Sequence, residues 1–240
     1  LAPLGVKVTW NEFPAGPQLL EGLNVGSIDF GTVGETPPIF AQAANAKITY
    51  IGYKPASPKS EAIIVQKDSS IKSVADLKGK KVVLNKGSNV HYLLVKALEN
   101  AGLKYSDIET VFLAPADARA AFERGSVDAW VIWDPFLAAA ETSIGAKVLK
   151  DGTNTVNNHQ FYLAEESYAS RRADVVAIIF EELKKVNDWA ISKPKEVANA
   201  MDTLTGLDVV TLEKALVRGG YGINYLNDKV IKKKKKIADT

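Results

Sequence analysis

The sequence has 240 residues, of which 46% are hydrophobic and 24% are charged, and its formal net charge is +2. This composition is ordinary for a globular protein and argues against disorder, and the small net charge argues against nucleic acid as a partner. Cysteine is absent, which excludes disulfides and thiolate chemistry.

Metal and membrane signals are also missing from the sequence. His91 and His159 stand far apart, and the spacing of metal ligands is found around neither. No apolar run approaches the ~20 residues that a membrane-spanning helix needs. We therefore predict that the protein uses neither a metal nor a cofactor.

The first part of the sequence alternates apolar strands with helices. Strands are predicted at residues 6–10, 28–33 and 47–53. Between the last two strands, Thr36 suits the N-cap of a helix, and Pro37 suits its first position because no N–H donor is needed there. This strand–helix–strand order predicts a largely parallel sheet with helices on its faces.

Two crossings divide the sequence into two predicted lobes. A proline- and lysine-rich segment, 53–60, leads into a predicted strand at 61–65, and a return strand is predicted at 159–164. Two α/β lobes joined by a hinge are expected to leave a cleft, where ligands usually bind. The predicted lobes are residues 1–65 with 156–240 (lobe 1), and residues 66–155 (lobe 2).

The sequence becomes helical from Asp174 onward, and this last third is interpreted as scaffold. Five consecutive lysines, Lys232–Lys236, stand near its end. Such a run favours a solvated helix face or a frayed terminus over an interaction tail.

The loop Lys86-Gly87-Ser88-Asn89 joins a predicted strand at 80–84 to a predicted helix. Ser88 or Asn89 is the expected N-cap of that helix, whose first N–H groups lack partners within the helix. Together with the positive end of the helix dipole, these donors suit an anionic ligand group. The alternative is that the loop is only a capped turn.

A second candidate loop, Trp133-Asp134-Pro135, follows a predicted strand at 127–132. Thr36, Ser88 and Trp133 each come just past the carboxyl end of a strand, where open α/β sheets place ligands. A tetrahedral oxyanion could be held between two helix N-termini, one from each lobe, with Trp133 as an apolar plane. The alternatives are a core role for Trp133, a helix start at Asp134-Pro135, a helix-end charge at Glu35 and a packed or solvent-facing His91.

Signatures of catalysis are missing from the sequence. It contains no Gly-x-Ser-x-Gly elbow, no P-loop and no glycine-rich dinucleotide fingerprint. Asp134 or Glu35 could serve as a base with His91 as its partner, but nothing supplies a nucleophile at a defined spacing. We predict no catalytic residue, and an enzyme using the same cleft is the less favoured alternative.

Six segments carry a resemblance to a known family, at residues 26–31, 34–38, 76–82, 86–94, 116–122 and 130–136. Lys-Gly-Ser-Asn-Val-His, from Lys86, and Val-Ile-Trp-Asp-Pro-Phe, from Val131, are the most specific of these motifs. Through them the sequence resembles the periplasmic aliphatic-sulfonate-binding proteins of ABC importers, in the taurine, nitrate and sulfonate-binding superfamily. The resemblance implies an α/β, two-lobed, periplasmic-binding-protein-like (type II) architecture with a hinge and a central ligand cleft.

The resemblance also implies a function. It implies a non-enzymatic solute-binding protein for sulfur uptake, which captures alkanesulfonates between its lobes and delivers them to the permease of an ABC transporter. It implies a monomer in the periplasm, or one tethered outside the membrane in Gram-positive bacteria. The alternative ligands are taurine, nitrate or a thiamine precursor. The cysteine cluster expected of the branch that makes a thiamine pyrimidine is absent.

Two further expectations come from the resemblance. The family's usual first strand and last helices are expected to be missing from this sequence. The residues expected to contact the ligand are Gly34, Glu35, Thr36, Ser60, Gly87, Ser88, Asn89, His91, Trp133 and Asp134.

Overall fold

The computed structural model describes residues 5–238. Their contacts divide the chain into two compact units. Unit 1 contains the described residues of 1–55, 159–193 and 220–240, and unit 2 contains residues 56–158 and 194–219. Helices and strands occur in both units, which confirms the predicted α/β class, whereas the hinge and the cleft stay predictions.

The elements follow one another along the described chain. In order they are α1 (Gly16–Asn24), β1 (Phe30–Gly34), α2 (Pro37–Ala43), β2 (Ile48–Lys54), β3 (Glu61–Val65), β4 (Lys81–Leu84), α3 (Asn89–Asn100), β5 (Glu109–Phe112), α4 (Pro115–Glu123), β6 (Ala129–Trp133), α5 (Phe136–Ser143), β7 (Lys147–Asp151), β8 (Gln160–Glu165), α6 (Glu166–Arg171), α7 (Ala173–Ser192), α8 (Pro194–Thr205), α9 (Val209–Arg218), β9 (Asn224–Tyr225) and α10 (Asp228–Ala238).

Unit 1 is built on a four-stranded sheet with the order β1-β8-β2-β9. Strand β8 lies between β1 and β2 and is antiparallel to both. The prediction of a largely parallel sheet is therefore wrong here, because the return strand inserts between two strands that run in the same direction. Apolar residues of the sheet and of the covering helices form its core, namely Leu20, Leu23, Val33, Phe161, Leu163 and Val230.

The strand predicted at residues 6–10 is also wrong. This segment has no regular secondary structure and belongs to neither sheet of the described chain. Val8 is 46% exposed and Trp10 is 90% exposed. Alternating residues favour a strand only where a neighbouring strand is available to complete the hydrogen-bond ladder.

Unit 2 is built on a five-stranded sheet with the order β5-β4-β6-β3-β7. Strand β4 is parallel to β5 and β6, whereas β3 is antiparallel to β6 and β7. One apolar core contains Val90, Leu94 and Leu98 of α3. A second core contains Phe122 of α4 and Leu137 of α5. The sheet thus has helices on both sides, which leaves its strand ends to carry the polar loops.

The division into units differs from the predicted lobe boundaries. The predicted boundaries place strand β3 in lobe 1, but it lies between β6 and β7 in the sheet of unit 2, and all five of its residues are buried. The same boundaries place helices α8 and α9 in lobe 1. Residues 194–219, which contain them, belong to unit 2. Helical periodicity alone could not show against which unit these two helices pack.

The lysine run lies on α10, and its members differ in burial. Lys232 and Lys235 are exposed, as predicted for a solvated face. Lys234 instead faces inward, with its ammonium over the rings of Tyr50 and Phe161. Within residues 5–238, no helix combines the length and apolarity that crossing a membrane requires.

Candidate functional site

The loop between β4 and α3 is held by its own side chains. Ser88 occupies the N-cap position with an extended backbone, φ −85° and ψ 175°. The prediction that its hydroxyl caps the helix is wrong, because Oγ instead donates to the carbonyl oxygen of Asn85 at 2.7 Å. Gly87 has a φ of +74°, a conformation that favours glycine. Its N–H donates to Nδ1 of His91 at 3.2 Å.

Both ring nitrogens of His91 have partners within unit 2. Because Nδ1 accepts from Gly87, a neutral ring carries its proton on Nε2, which lies 2.9 Å from the hydroxyl of Tyr105. The ring also contacts Phe112 edge-on. Burial lowers the pKa of His91, and the nearby charge of Lys86 lowers it further. Both effects favour the neutral ring, which supports the packed alternative for this residue.

Asn158 connects two of the predicted ligand residues, and sequence reasoning missed it. Its Oδ1 accepts from Nδ2 of Asn89 at 2.6 Å, and its own Nδ2 donates to Oγ of Ser60 at 3.0 Å. Nδ2 also donates to the carbonyl of Ser57 at 3.2 Å. The φ of Asn158 is 53°, which asparagine tolerates better than most residues. The only hint in the sequence was a pair of asparagines before the return strand.

The loop after β6 lies beside Ser60 and the start of β3 in unit 2. Trp133 ends β6 opposite Glu61 and is partly buried against both apolar cores of the unit. The N–H of Asp134 donates to the carbonyl of Ser60 at 2.8 Å, which ties this loop to the start of β3. Ser60 thus contacts Asn158 through its side chain and Asp134 through its backbone.

Asp134 also takes part in a charged cluster within unit 2. Its Oδ1 accepts from the N–H of Ala138 at 2.9 Å in the first turn of α5, as expected for the start of a helix. Nη1 of Arg218 lies 3.5 Å from the same oxygen. Burial raises the pKa of Asp134 to about 6, although the charge of Arg218 acts in the opposite direction.

Unit 1 contributes the consecutive residues Gly34, Glu35 and Thr36, which follow β1. Glu35 is 2% exposed, and its Oε2 accepts from both the N–H (3.1 Å) and Nδ1 (2.8 Å) of His159. Nζ of Lys234 donates to the carbonyl of Glu35 at 3.1 Å. The carboxylate is thus directed toward the return strand rather than toward the start of α2.

The predicted cap at Thr36 is wrong in its geometry. Thr36 stands at the N-cap position of α2, but its backbone is already helical, with φ −85° and ψ −47°, and its side chain makes no capping hydrogen bond. A capping side chain normally requires an extended backbone at that position. Pro37 does occupy the first helical position, as predicted.

The polar residues of unit 2 have a chemistry that suits an anion. The predicted side chains here are neutral and already donate within the unit: Ser60 to the carbonyl of Ser57, Ser88 to the carbonyl of Asn85, and Asn89 to Oδ1 of Asn158. The first N–H groups of a helix also favour negative charge. Oδ1 of Asn85 is buried with no hydrogen-bond partner among the described residues. Within residues 5–238, no group of three or more His, Cys, Asp or Glu residues is arranged to hold a metal ion.

Comparison with known proteins identifies a family and a relative with a related sequence. The family model described as NMT1/THI5 like matches residues 3–197. A protein of Escherichia coli (strain K12) named for the binding of aliphatic sulfonates is 58% identical over 165 residues, which is 69% of this chain and 52% of that protein. The chain thus spans about half the length of this relative.

Two solved structures resemble the fold to different degrees. The alkanesulfonate-binding protein of Xanthomonas axonopodis pv. citri bound to MOPS has a TM-score of 0.93 at 40% identity, over 97% of this chain and 81% of that one. A desulfurization enzyme has a TM-score of 0.65 at 16% identity, over 88% of this chain and 78% of that one. The second likeness concerns the fold alone.

Proposed function

Because this chain belongs to the NMT1/THI5-like family, we propose that it is a solute-binding protein that captures alkanesulfonates for an ABC importer. The observation that carries the proposal is the 58% identity to the Escherichia coli protein named for aliphatic sulfonates. The 40% identity to a solved alkanesulfonate-binding protein supports it.

The chemistry of unit 2 supports an anionic headgroup that needs no proton from the protein. A sulfonate is ionised at any physiological pH and offers three acceptor oxygens. The start of α3 supplies backbone N–H groups, and Asn89 and Ser88 supply neutral polar side chains beside them. We propose these residues, with Gly87, for the headgroup. The partly buried ring of Trp133 is proposed for the alkyl chain.

The other predicted contacts have proposed roles that follow from their bonds. Ser60 and Asp134 are joined through the hydrogen bond from Asp134 N–H to Ser60 carbonyl, so we assign them to the walls of the unit 2 site. His91 acts through Gly87, whose loop conformation it holds. In unit 1, Gly34, Glu35 and Thr36 are proposed as ligand residues, with Glu35 fixed by His159.

Location and partners belong to the same proposal. A protein that captures sulfonates for import works outside the cytoplasmic membrane, in the periplasm or tethered to the outer side of that membrane. Its macromolecular partner would be the permease of the transporter, and it would act as a monomer. These assignments follow from the proposed function.

Isothermal titration calorimetry tests the proposal directly. The protein is titrated with pentanesulfonate, taurine, nitrate and sulfate. We expect saturable binding of pentanesulfonate at one site per chain, and weaker or no heat with the three smaller anions. Saturable binding of taurine or nitrate without pentanesulfonate would replace the proposed ligand class by one of the alternatives.

An enzymatic role is tested with the same ligand. After prolonged incubation, the pentanesulfonate is recovered and quantified by mass spectrometry, and sulfite is assayed as the product of carbon–sulfur cleavage. A binding protein returns the ligand unchanged. Release of sulfite in proportion to the protein added would instead favour the enzyme.

A further inference from the structure

Helices α5 and α9 of unit 2 meet through a cluster of four charged residues. Nη2 of Arg218 donates to Oε2 of Glu141 at 2.5 Å, and its Nη1 lies 3.5 Å from Oδ1 of Asp134. Nζ of Lys214 lies 3.2 Å from Oε1 of Glu141. The side chains of Asp134, Glu141 and Arg218 are 8%, 14% and 17% exposed. Arg218 thus faces two carboxylates in surroundings with little water.

The carboxylate of Asp134 depends on Arg218 for charge compensation more than the carboxylate of Glu141 does. Oδ1 of Asp134 accepts from the N–H of Ala138, but Oδ2 is buried without a hydrogen-bond partner in the part of the chain that the structure describes. A buried carboxylate with one unsatisfied oxygen is costly unless an opposite charge compensates for it. Glu141 has two cationic partners, and its charge remains balanced by Lys214 if Arg218 is lost.

The position of Asp134 connects this cluster to the proposed ligand residues. Asp134 directly follows Trp133 and donates its N–H to the carbonyl of Ser60. We propose that Arg218 is a positioning residue for ligand binding, whose guanidinium compensates the Asp134 carboxylate and thereby holds the Trp133–Asp134 segment in its binding position. This inference rests on the proposed function, since it assigns Arg218 to the same site.

Charges from every neighbouring element act on Asp134. Arg218 and Lys214 on α9 stabilise the carboxylate, and Glu141 on α5 opposes it. Lys59, in the turn before β3, and Glu61, the first residue of β3, are the charged residues on the segment next to Ser60. Burial already raises the pKa of Asp134 to about 6. Removing Arg218 removes the largest opposing influence, so the pKa should rise further, toward neutrality.

A double-mutant cycle in sulfonate affinity separates positioning from a merely structural role. Pentanesulfonate is titrated calorimetrically into the wild type, Arg218→Met, Asp134→Asn and the double variant, at about pH 7.5. We expect Arg218→Met to weaken binding by about tenfold or more, because it removes the nearest cation from a buried carboxylate and leaves only the weaker influence of Lys214. The double variant should bind more tightly than Arg218→Met, since asparagine can still accept from Ala138 without carrying a charge.

A control variant and a contrary outcome complete this experiment. Arg119→Met removes an arginine from the partly exposed Arg119–Glu123 pair on α4, and it should leave affinity unchanged. If Arg218 merely joins α9 to α5 through Glu141, the losses of Arg218→Met and Asp134→Asn will add without recovery. Additive losses overturn the inference.

A readout without ligand keeps this inference separate from the proposed function. The indole N–H resonance of Trp133, assigned with Trp133→Phe, reports the position of the segment in the unliganded protein. It should shift in Arg218→Met and return toward its wild-type position in the double variant. An unshifted resonance overturns the inference. Wild-type protein that binds none of the sulfonates overturns the proposed function and with it the role of Arg218 in ligand binding.

Discussion

The backbone N–H of Gly87 donates to Nδ1 of His91, four residues further along the chain, at 3.2 Å. The imidazole therefore satisfies one of the donors that precede α3, and the loop closes onto the first turn of that helix. Ser88 contributes in the same way through its bond to Asn85. The loop before α3 is thus held in shape by its own side chains, and the N–H of His91 closes the first turn by donating to the carbonyl of Ser88 at 3.1 Å.

A first prediction concerns His91. His91→Phe keeps a ring against Tyr105 and Phe112 but removes the acceptor for Gly87, so the free energy of unfolding should fall by ~1–2 kcal/mol. Urea unfolding at neutral pH measures this change. His91→Gln, whose side chain retains an acceptor, should lose less. Equal losses for both variants would mean that the Gly87 bond contributes little.

The pKa of His91 predicts a dependence of stability on pH. Burial and Lys86 lower its pKa in the folded protein, while the unfolded value is ~6.5. The unfolded chain therefore binds the proton more readily, and the contribution of His91 to stability should decrease as pH falls below about 6.5. Above that range it should be constant. His91→Phe should lose this part of the slope, as followed by unfolding titrations from about pH 5 to 8.

A third prediction concerns Asn158. Asn158→Gly allows the positive φ but removes the bonds to Asn89, Ser57 and Ser60, so the free energy of unfolding should fall by ~1–3 kcal/mol. Asn154→Gly is the matched control, because Asn154 has a φ of 60° but is exposed. Both variants share the backbone entropy cost of glycine. Similar losses in the two would contradict a structural role for the Asn158 network.

Much of this fold could be predicted from the sequence, and the failures in sheet order and helix placement share one cause. Strand β4, the turn at Gly87 and helix α3 could be predicted from local patterns. Apolar runs, helix caps and turn glycines are signals that extend over only a few neighbouring residues. The insertion of β8 between β1 and β2, and the packing of α8 and α9 in unit 2, depend on contacts between distant parts of the chain. Periodicity carries no information about such contacts.

The candidate site shows the same division. The loops at Glu35, Ser88 and Trp133 could be located, because strand ends and helix starts are visible in the sequence. The direction of each side chain could not, since it depends on distant residues: Glu35 bonds to His159, and Asn89 bonds to Asn158. Arg218 was likewise hidden, because it ends a helix far along the chain from Asp134.

A fourth prediction concerns Lys234. Burial lowers the pKa of this lysine to about 8, against an unfolded value of ~10.4. The unfolded chain therefore holds the proton more tightly, so the cost of burying the charge is fully present below about pH 8 and decreases as pH rises from about 8 to 10.4. Lys234→Met should raise the free energy of unfolding at neutral pH and abolish the slope in that range.

Lys235 provides the control for this variant. It is exposed on the same helix, so Lys235→Met should change neither stability nor its slope appreciably. The contacts of Lys234 with the Glu35 carbonyl and the rings of Tyr50 and Phe161 act against the expected gain. A loss of stability in Lys234→Met below about pH 8 would mean that these contacts outweigh the desolvation of the ammonium.

The last prediction compares two serines at the starts of helical segments in unit 2. Oγ of Ser88 donates to the carbonyl of Asn85 in a buried loop, whereas Ser73 belongs to an exposed capping box with Asp76. Ser88→Ala and Ser73→Ala should each reduce the free energy of unfolding by ~0.5–2 kcal/mol. Only Ser88→Ala should also weaken the binding of pentanesulfonate in calorimetry, because Ser88 directly precedes the N–H groups of α3 proposed to hold the headgroup. Equal affinities for the two variants would remove the Ser88 hydroxyl from the proposed site.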